Sequence, residues 1–328
     1  MRVTLISFDN WGFNKHIADA LESKGYVVNH IDFHQFVYKY PNFQTKVYNF
    51  ILKNFLKKNL KNIYYGKEII KKLQQIEKKQ DVILTIKGDF IDSKYLKEIK
   101  KYTQKSIGYF NDNTFRCPKI IKAIPCFDAV FSFEKEDCKK FHLNFITNWI
   151  YVESPIDSST NFEYEIFNIS TKDKRLPILF KISKILGGKK INYKFLVLDK
   201  QNSSTIDGIE FFTNKISLDE VSTLIAKSKT LLDINRKGQN GLTFRVFESL
   251  GLKKKLITTN TDIINYDFYN PNNILLIEEK NPVIPTSFFE SNYVDIPESI
   301  LNKYTLDGWI ERVVNSEQNK SISIKNSC

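Results

Sequence analysis

The sequence predicts an α/β protein with two Rossmann-like domains, each a parallel sheet with helices on both faces. Short apolar runs alternate with amphipathic segments up to about residue 150, and the alternation restarts near residue 164. Between them lies VESPIDSSTNFE, a linker-like stretch rich in Ser, Pro and Asp. A chain of 328 residues is long enough for two domains. We therefore expect an N-terminal domain over 1–153 and a C-terminal domain over 154–328, with the helical segment 304–315 packing back onto the first.

The first half alternates strands and helices in regular order. Helices are predicted at NKHIADALESKG, which ends in Gly25, at DSKYLKEIKKYTQ and at PKIIKAI. The intervening strands are RVTLISF, YVVNHIDF, DVILTIKG, KSIGYFND and FDAVFSFE. Strands that alternate with helices in this way build a parallel sheet.

The second half repeats the pattern. Helices are predicted at KRLPILFKISKIL, at TFRVFESLGL and at SLDEVSTLIAKSK, where Ser217 and Glu220 have the spacing of a capping box. The strands are YEIFNIS, KFLVLD, GIEFF, TLLDIN and KLITTN. Two such domains are expected to face one another across a cleft, and ligands of open α/β sheets bind at the carboxyl ends of the strands.

Composition excludes several classes of protein. With 42% hydrophobic and 26% charged residues the chain is not a disordered one. No run of eighteen uncharged apolar residues is present, so no membrane span is predicted. The start, MRVTLISFDNWGFN, lacks a signal-peptide pattern, and four widely spaced cysteines fit a reducing compartment and no metal-site motif. We expect a cytoplasmic protein without a bound metal.

The positive charge is concentrated in one segment. The formal net charge is +12, and residues 41–80 contain ten lysines and two acids. In NFILKNFLKKNLKNI the spacing of Leu52, Leu56, Leu60 and Ile63 predicts one face of a helix, with lysines around it. The segment 46–79 is then either a solvated surface helix or a basic patch for an anionic membrane surface. Nucleic acid is not the expected partner, because arginines and recognition motifs are missing from the segment.

The most informative segment is DINRKGQNGLTFRVFESLGLKKKLITTN, residues 233–260. A strand end leads through a Gly-containing turn into a helix, an arrangement that offers backbone N–H groups and a helix dipole to phosphate. Arginines supply guanidinium groups for phosphate oxygens, and a glutamate further along the helix suits the two hydroxyls of a ribose. Together these features indicate a nucleotide site with the candidate residues Arg236, Asn240, Gly241, Thr243, Arg245 and Glu248.

This segment resembles the C-terminal half of glycosyltransferases with the GT-B fold, especially the CgeB-like group and its relatives in surface-polysaccharide biosynthesis. Retaining members have two acids separated by seven residues, and Asn240 and Glu248 have that spacing here. The resemblance implies that Glu248 binds the donor ribose. Asn240 stands where the pattern has a glutamate, which leaves the choice between inversion and retention open.

A second loop extends the resemblance. STKDKRLPILFKI follows the first strand of the second half and contains Lys172, Lys174 and Arg175. GT-B enzymes place basic residues in this loop against the donor diphosphate, and Arg175 is the candidate we favour. Arginine, lysine and a helix dipole would neutralise the leaving diphosphate without a metal, in agreement with the absence of an Asp-x-Asp triplet. No cofactor is expected beyond the nucleotide-sugar co-substrate.

The first domain is expected to bind the acceptor and to supply a catalytic base. Acids at strand ends are the candidates, and each of them is alternatively a turn former or helix cap. Asp112 is the preferred base and Asp9 the second, with Asp89 and Glu134 as further candidates. A base must lie within hydrogen-bond reach of the acceptor hydroxyl.

The sequence thus predicts a metal-independent glycosyltransferase that moves a sugar from a nucleoside-diphosphate sugar to a saccharide or lipid-linked saccharide. The resemblance implies a role in bacterial lipopolysaccharide or capsule assembly. The basic helix favours an acceptor at the membrane surface, with the enzyme peripheral at the inner face of the membrane. One alternative is a sugar-nucleotide epimerase of the same architecture. Another is a non-catalytic protein that uses the lysine-rich helix to bind membrane or nucleic acid.

Overall fold

The computed structural model describes residues 1–152, 162–201 and 205–315. These residues form two compact units, unit 1 with residues 1–147 and 307–315, and unit 2 with residues 148–306. The expected boundary between 153 and 154 and the polar tail after 315 lie outside the described residues.

Unit 1 is a six-stranded parallel sheet with helices packed on it. The strands follow the spatial order β2-β1-β3-β4-β5-β6. They are β1 (Arg2–Ser7), β2 (Val27–Asp32), β3 (Gln80–Ile86), β4 (Thr103–Phe110), β5 (Ala129–Ser132) and β6 (Asn144–Phe145). The helices are α1 (Lys15–Ser23), α2 (Phe43–Phe55), α3 (Leu60–Gln74), α4 (Ser93–Ile99), α5 (Ile120–Ala123) and α6 (Lys135–Phe141). The strand order changes direction between β1 and β3, and this switch point is where such sheets bind ligands.

Unit 2 repeats the architecture with the order β12-β11-β10-β7-β8-β9, again all parallel. Its strands are β7 (Tyr164–Thr171), β8 (Tyr193–Leu198), β9 (Glu210–Phe212), β10 (Ser228–Asp233), β11 (Lys255–Thr258) and β12 (Ile274–Leu276). Its helices are α7 (Leu176–Gly188), α8 (Leu218–Ala226), α9 (Phe244–Gly251), α10 (Thr286–Glu290) and α11 (Glu298–Leu301). The switch point lies between β7 and β10. The two parallel sheets confirm the predicted fold class.

The cores explain why the strands could be read from the sequence. Central strands of a parallel sheet are covered on both faces, so their residues form continuous apolar runs. Ile83 on β3 and Phe110 on β4 are buried in unit 1, as are Ile166 on β7 and Leu232 on β10 in unit 2. The predicted capping box is confirmed: the Ser217 side chain accepts from the backbone N–H of Glu220, and the Glu220 carboxylate accepts from that of Ser217.

The prediction of one basic helix over 49–63 is wrong. The chain breaks between α2 and α3, where Lys57 has a left-handed φ of 54°. The buried side chain of Asn49 accepts the N–H of Leu60 at 2.8 Å, and Asn59 caps the new helix through the N–H of Lys61. These asparagine bonds replace the helical ones, and Leu56 becomes exposed instead of sharing a buried face.

The last described segment belongs to unit 1. Helix α12 (Leu306–Ile310) continues into a π-helical turn over Glu311–Asn315. Trp309 is buried, meets the ring of Tyr109 edge-on at 5.1 Å and donates its indole N–H to the carbonyl of Thr147 at 3.0 Å. A large aromatic side chain therefore attaches this segment to the sheet of unit 1. Among all described helices, none is long and apolar enough to cross a membrane.

Lys254 gives unit 2 a pH dependence that can be measured. Its ammonium group is buried and donates to the carbonyls of Ala226 and Ser228, and burial lowers its pKa from 10.5 to about 8. Between these values the unfolded chain binds more protons, so stability should rise with pH by at most about 1.4 kcal/mol per unit. Urea unfolding at successive pH values should show this rise in the parent and in the exposed-site variant Lys229→Met. We expect Lys254→Met to reduce the slope, because burial also lowers the pKa of Lys105, Lys119 and Lys255. An unchanged slope would contradict the assignment.

Candidate functional site

A pocket opens at the carboxyl end of β7, beside the switch point of unit 2. Its volume is about 260 Å³ and includes open solvent, and its wall includes Ser170, Thr171 and Ile234. Asn168 lies in the wall and donates its amide to the carbonyl of Leu232 at 2.7 Å. Its side-chain oxygen is buried and receives no hydrogen bond from the described residues.

Basic and acidic side chains form a network at the rim of this pocket. Arg175 donates Nε and Nη2 to the carboxylate of Asp173, at 2.8–3.1 Å, and Nη1 to the carbonyl of Ile234 at 2.9 Å. The Nε of Arg236 lies 3.5 Å from the same carboxylate. Hydrogen bonds from Arg175 lower the pKa of Asp173 despite its partial burial. Two guanidinium groups thus share one carboxylate, so these three side chains together carry one net positive charge.

The predicted lysines of this loop lie in different surroundings. Lys172 pairs with the buried carboxylate of Asp199 at 2.9 Å, whereas Lys174 is exposed. Of the three cations predicted from this loop, Lys172 and Arg175 line the pocket.

The loop from 236 to 243 is held in shape by asparagines. Gly238 has a φ of +77°, a conformation that side chains rarely adopt. Asn235 donates to the carbonyl of Gln239, and Asn260 donates to that of Asn240 at 3.0 Å. These bonds fix an exposed Asn240 next to the buried Gly241, directly before α9.

The turn into α9 is anchored by a buried aspartate. Asp233, at the end of β10, accepts from the hydroxyls of Thr243 at 2.9 Å and Thr258 at 3.1 Å. Burial raises its pKa, while the two threonines and neighbouring arginines oppose that rise. Because the Thr243 hydroxyl is used on Asp233, it does not cap the helix. The Thr243 side chain therefore leaves the first backbone N–H groups of α9 uncapped. A phosphate site at a helix start requires N–H groups that no side chain caps.

Glu248 lies deeper, inside unit 2. One carboxylate oxygen accepts from the hydroxyl of Tyr151, and the other lies 2.5 Å from Nη1 of Arg245. Only 4% of the Glu248 side chain is exposed, and burial raises its pKa against the effect of Arg245. The Arg245 guanidinium also lies over the ring of Phe167, at 5.7 Å. Arg245 and Glu248, which the sequence predicted as nucleotide ligands, are therefore paired with each other.

In unit 1, Asp9 supports a turn. Its carboxylate accepts the backbone N–H of Gly12 at 2.8 Å and that of Lys15 at 3.0 Å, at the start of α1. Its own N–H donates to Asp32. The capping interpretation of Asp9 is therefore the one its contacts favour.

Asp112 lies in a charged cluster after β4. It binds Nζ of Lys87 at 3.1 Å and Nη1 of Arg116 at 3.0 Å, with 14% of its side chain exposed. Lys87 has a left-handed φ of 61° at the end of β3, a conformation that is strained for a residue with a side chain. Asp89, two residues on, is buried, and desolvation raises its pKa. Burial and a left-handed lysine beside two carboxylates are typical of a functional site.

Comparisons with known proteins identify the fold. No family model and no curated protein match the chain. Among solved structures, it is similar to a UDP-forming α,α-trehalose-phosphate synthase from Burkholderia xenovorans, with 10% identity, a TM-score of 0.51 and coverage of 95% of this chain and 97% of that one. It is also similar to a UDP-N-acetylglucosamine 2-epimerase from Rickettsia bellii, with 12% identity, a TM-score of 0.50 and coverage of 97% and 96%. The fold is of the GT-B type.

Three residues of this candidate site escaped the sequence prediction. Asp173 holds both arginines, Asp233 anchors the turn before α9, and Tyr151 binds Glu248. Asp173 stands between predicted basic residues, and Asp233 ends an apolar strand; both are signals that could have been used. Tyr151 is 97 residues from its partner and has no local signal. Among the described residues, no group of three His, Cys, Asp or Glu side chains is arranged to hold a metal ion.

Proposed function

We propose that the protein transfers a sugar from a nucleoside-diphosphate sugar to a saccharide or lipid-linked saccharide acceptor in bacterial surface-glycan assembly. The observation that carries this proposal is the cationic network of Arg175 and Arg236 at the switch point of a GT-B-type unit, beside the start of α9. An anionic ligand with a diphosphate suits such a network. Both similar solved structures bear names that contain UDP, which supports a uridine nucleotide as the first candidate donor.

In this proposal the residues of unit 2 stabilise the leaving group. The acceptor oxygen attacks the anomeric carbon, the bond from that carbon to the β-phosphate oxygen breaks, and a carboxylate of unit 1 takes the acceptor proton. Arg236 and the N–H groups at the start of α9 would bind the departing diphosphate. Arg175 would contribute the N–H groups that Asp173 and Ile234 do not use. Positive groups fixed in advance stabilise developing charge without a metal.

Glu248 does not face solvent as a ligand of the donor ribose would. One of its oxygens accepts the hydroxyl of Tyr151, and the other forms an ion pair with Arg245. Direct binding of ribose hydroxyls would require the Tyr151 hydroxyl to leave. We therefore assign Glu248 to the positioning of Arg245 and α9.

An epimerase of the same architecture is the second candidate. The Rickettsia bellii epimerase is as similar in fold as the synthase. An epimerase would convert the sugar nucleotide without any acceptor. Incubating the protein with UDP-N-acetylglucosamine alone and analysing the sugar by NMR separates the two functions.

Nucleotide binding gives the first test. A ligand that binds only the native state raises stability, by about 2.7 kcal/mol at a concentration of 100 Kd. We expect thermal-shift titrations with UDP, GDP, CMP and TDP to show a clear rise in Tm with one nucleotide. No rise with any of them would contradict the proposed function.

Arg236→Ala should weaken the binding of that nucleotide about tenfold or more, since a charge-assisted hydrogen bond is worth about 1.5–3 kcal/mol. The matched control is Lys229→Ala, which removes an ion-paired cation at the opposite end of β10. Calorimetry should show unchanged affinity in the control. Equal affinity in both variants would remove Arg236 from the site.

A further inference from the structure

Helix α2 presents an apolar face to solvent. Phe43 is 76% exposed and Phe50 66%, and Val47 and Ile51 are also exposed. Within the helix, only Asn49 and Leu52 are buried. At 100° per residue, Phe43, Val47 and Phe50 lie on the side opposite these two. The outermost side of the helix, where polar residues are expected, therefore consists mainly of aromatic and aliphatic side chains.

Lysines lie along one edge of this face. Lys46 and Lys53 occupy the flank between the outer face and the buried side, and both are exposed. Phe55, 78% exposed, lies on the other flank, and Lys57 and Lys58 follow in the turn to α3. An exposed apolar face with cations at its edge is the arrangement of a helix that lies in a membrane interface, where the apolar side enters the headgroup region and the lysines reach the lipid phosphates.

Asparagine side chains stabilise helix α2. The Asn42 side chain accepts the N–H of Thr45 at 2.8 Å and caps the first turn, and Asn49 ties the helix to the start of α3. The exposed aromatic residues take no part in these bonds. Substituting them should change the surface and leave the fold of unit 1 intact.

From this geometry we infer that α2 docks the protein on an anionic lipid bilayer. The occupant is a membrane because charge complementarity requires a negative surface: residues 41–80 contain ten lysines and two acids. A second copy of the same face would bring two such positive segments together and be repelled. Each lysine near an anionic surface contributes about 1 kcal/mol, or about fivefold in binding. The inference does not rest on the proposed glycosyl transfer, although it would bring the site to a lipid-linked acceptor.

Vesicle flotation of the full chain tests this inference. We expect binding to vesicles of phosphatidylcholine with roughly one third phosphatidylglycerol and little binding to phosphatidylcholine alone. The triple substitution Phe43→Ser, Phe50→Ser and Phe55→Ser should reduce partitioning about tenfold or more. The matched control, Val283→Ser with Val294→Ser, removes exposed apolar side chains from unit 2 and should bind like the parent.

Charge is tested separately. Lys46→Gln with Lys53→Gln should weaken binding more than Lys139→Gln with Lys140→Gln, a pair of exposed lysines on α6 that changes the net charge equally. Equal losses would show non-specific attraction and overturn the role of α2. A parent that ignores anionic vesicles, or a triple variant that binds as tightly, would overturn it too. Self-association abolished by the triple variant, without vesicle binding, would identify a second copy as the occupant. Circular dichroism establishes that each variant is folded, and the nucleotide-dependent Tm shift reports on the proposed function independently.

Discussion

Glu248→Ala should destabilise the protein by about 3 kcal/mol or more. The substitution leaves the guanidinium of Arg245, 12% exposed, without its carboxylate partner, and a buried charge that loses its counter-ion costs about 3–5 kcal/mol. It also removes the acceptor of the Tyr151 hydroxyl. Urea unfolding followed by circular dichroism measures the loss.

Two further variants identify its cause. Glu210→Ala breaks an exposed ion pair with Lys194 in the same unit and should cost less than about 1 kcal/mol. The double variant Arg245→Met, Glu248→Leu removes both buried charges and should recover most of the stability lost by Glu248→Ala. If the double variant is no more stable than the single one, the ion pair is not the source of the effect.

Glu248→Gln separates positioning from direct ribose binding. The amide keeps the volume and one acceptor for Tyr151 but loses the negative charge. If Glu248 is a positioning residue, stability and nucleotide affinity should fall together in Glu248→Gln. The double variant Arg245→Met, Glu248→Leu should then restore stability. A large loss of affinity with unchanged stability would instead place the carboxylate on the ribose.

The sequence predicted strands best where both faces of the strand are buried. Strands such as β3 and β10 are covered on both faces, so their apolar runs and Gly- or Asn-rich ends could be recognised without knowledge of the partners. Helix α6 and strand β12 were missed, because KEDCKKF is short and polar and Ile274–Leu276 has only three residues. Local patterns of that length do not distinguish an element from a loop.

The break between α2 and α3 was missed for a different reason. Leucines at a helical spacing continue across it, but α2 ends where Lys57 becomes left-handed. The side chain of Asn49 then binds the N–H of Leu60, eleven positions away, at the start of α3. The same limit applies to the candidate site. Loop cations were found from their position in the sequence, whereas the contact of Arg236 with Asp173 and the burial of Glu248 depend on tertiary packing.

Asp112→Asn is expected to lower the rate of glycosyl transfer about 100-fold or more, the size of a general-base contribution. Asp112 is the carboxylate that Lys87 and Arg116 orient at the end of β4, and 14% of its side chain remains exposed. The rate of transfer would be measured from the release of the nucleotide that raises the Tm. The affinity for that nucleotide should not change, since its proposed binding residues are in unit 2. Asp128→Asn, which alters another ion-paired carboxylate of unit 1, should leave transfer unchanged.

The competing base is Asp89, which differs from Asp112 in that it is buried. Burial raises the pKa of Asp89 and disfavours its charged form, so activity that depends on it should increase as pH rises through that raised value. Activity lost in Asp89→Asn and kept in Asp112→Asn would move the base to Asp89. Lys87→Gly then tests the strained residue between them, because glycine keeps the left-handed backbone but removes the ammonium partner of Asp112. A loss of transfer in this variant without a loss of stability would show that the ammonium group, and not the backbone turn, orients the base.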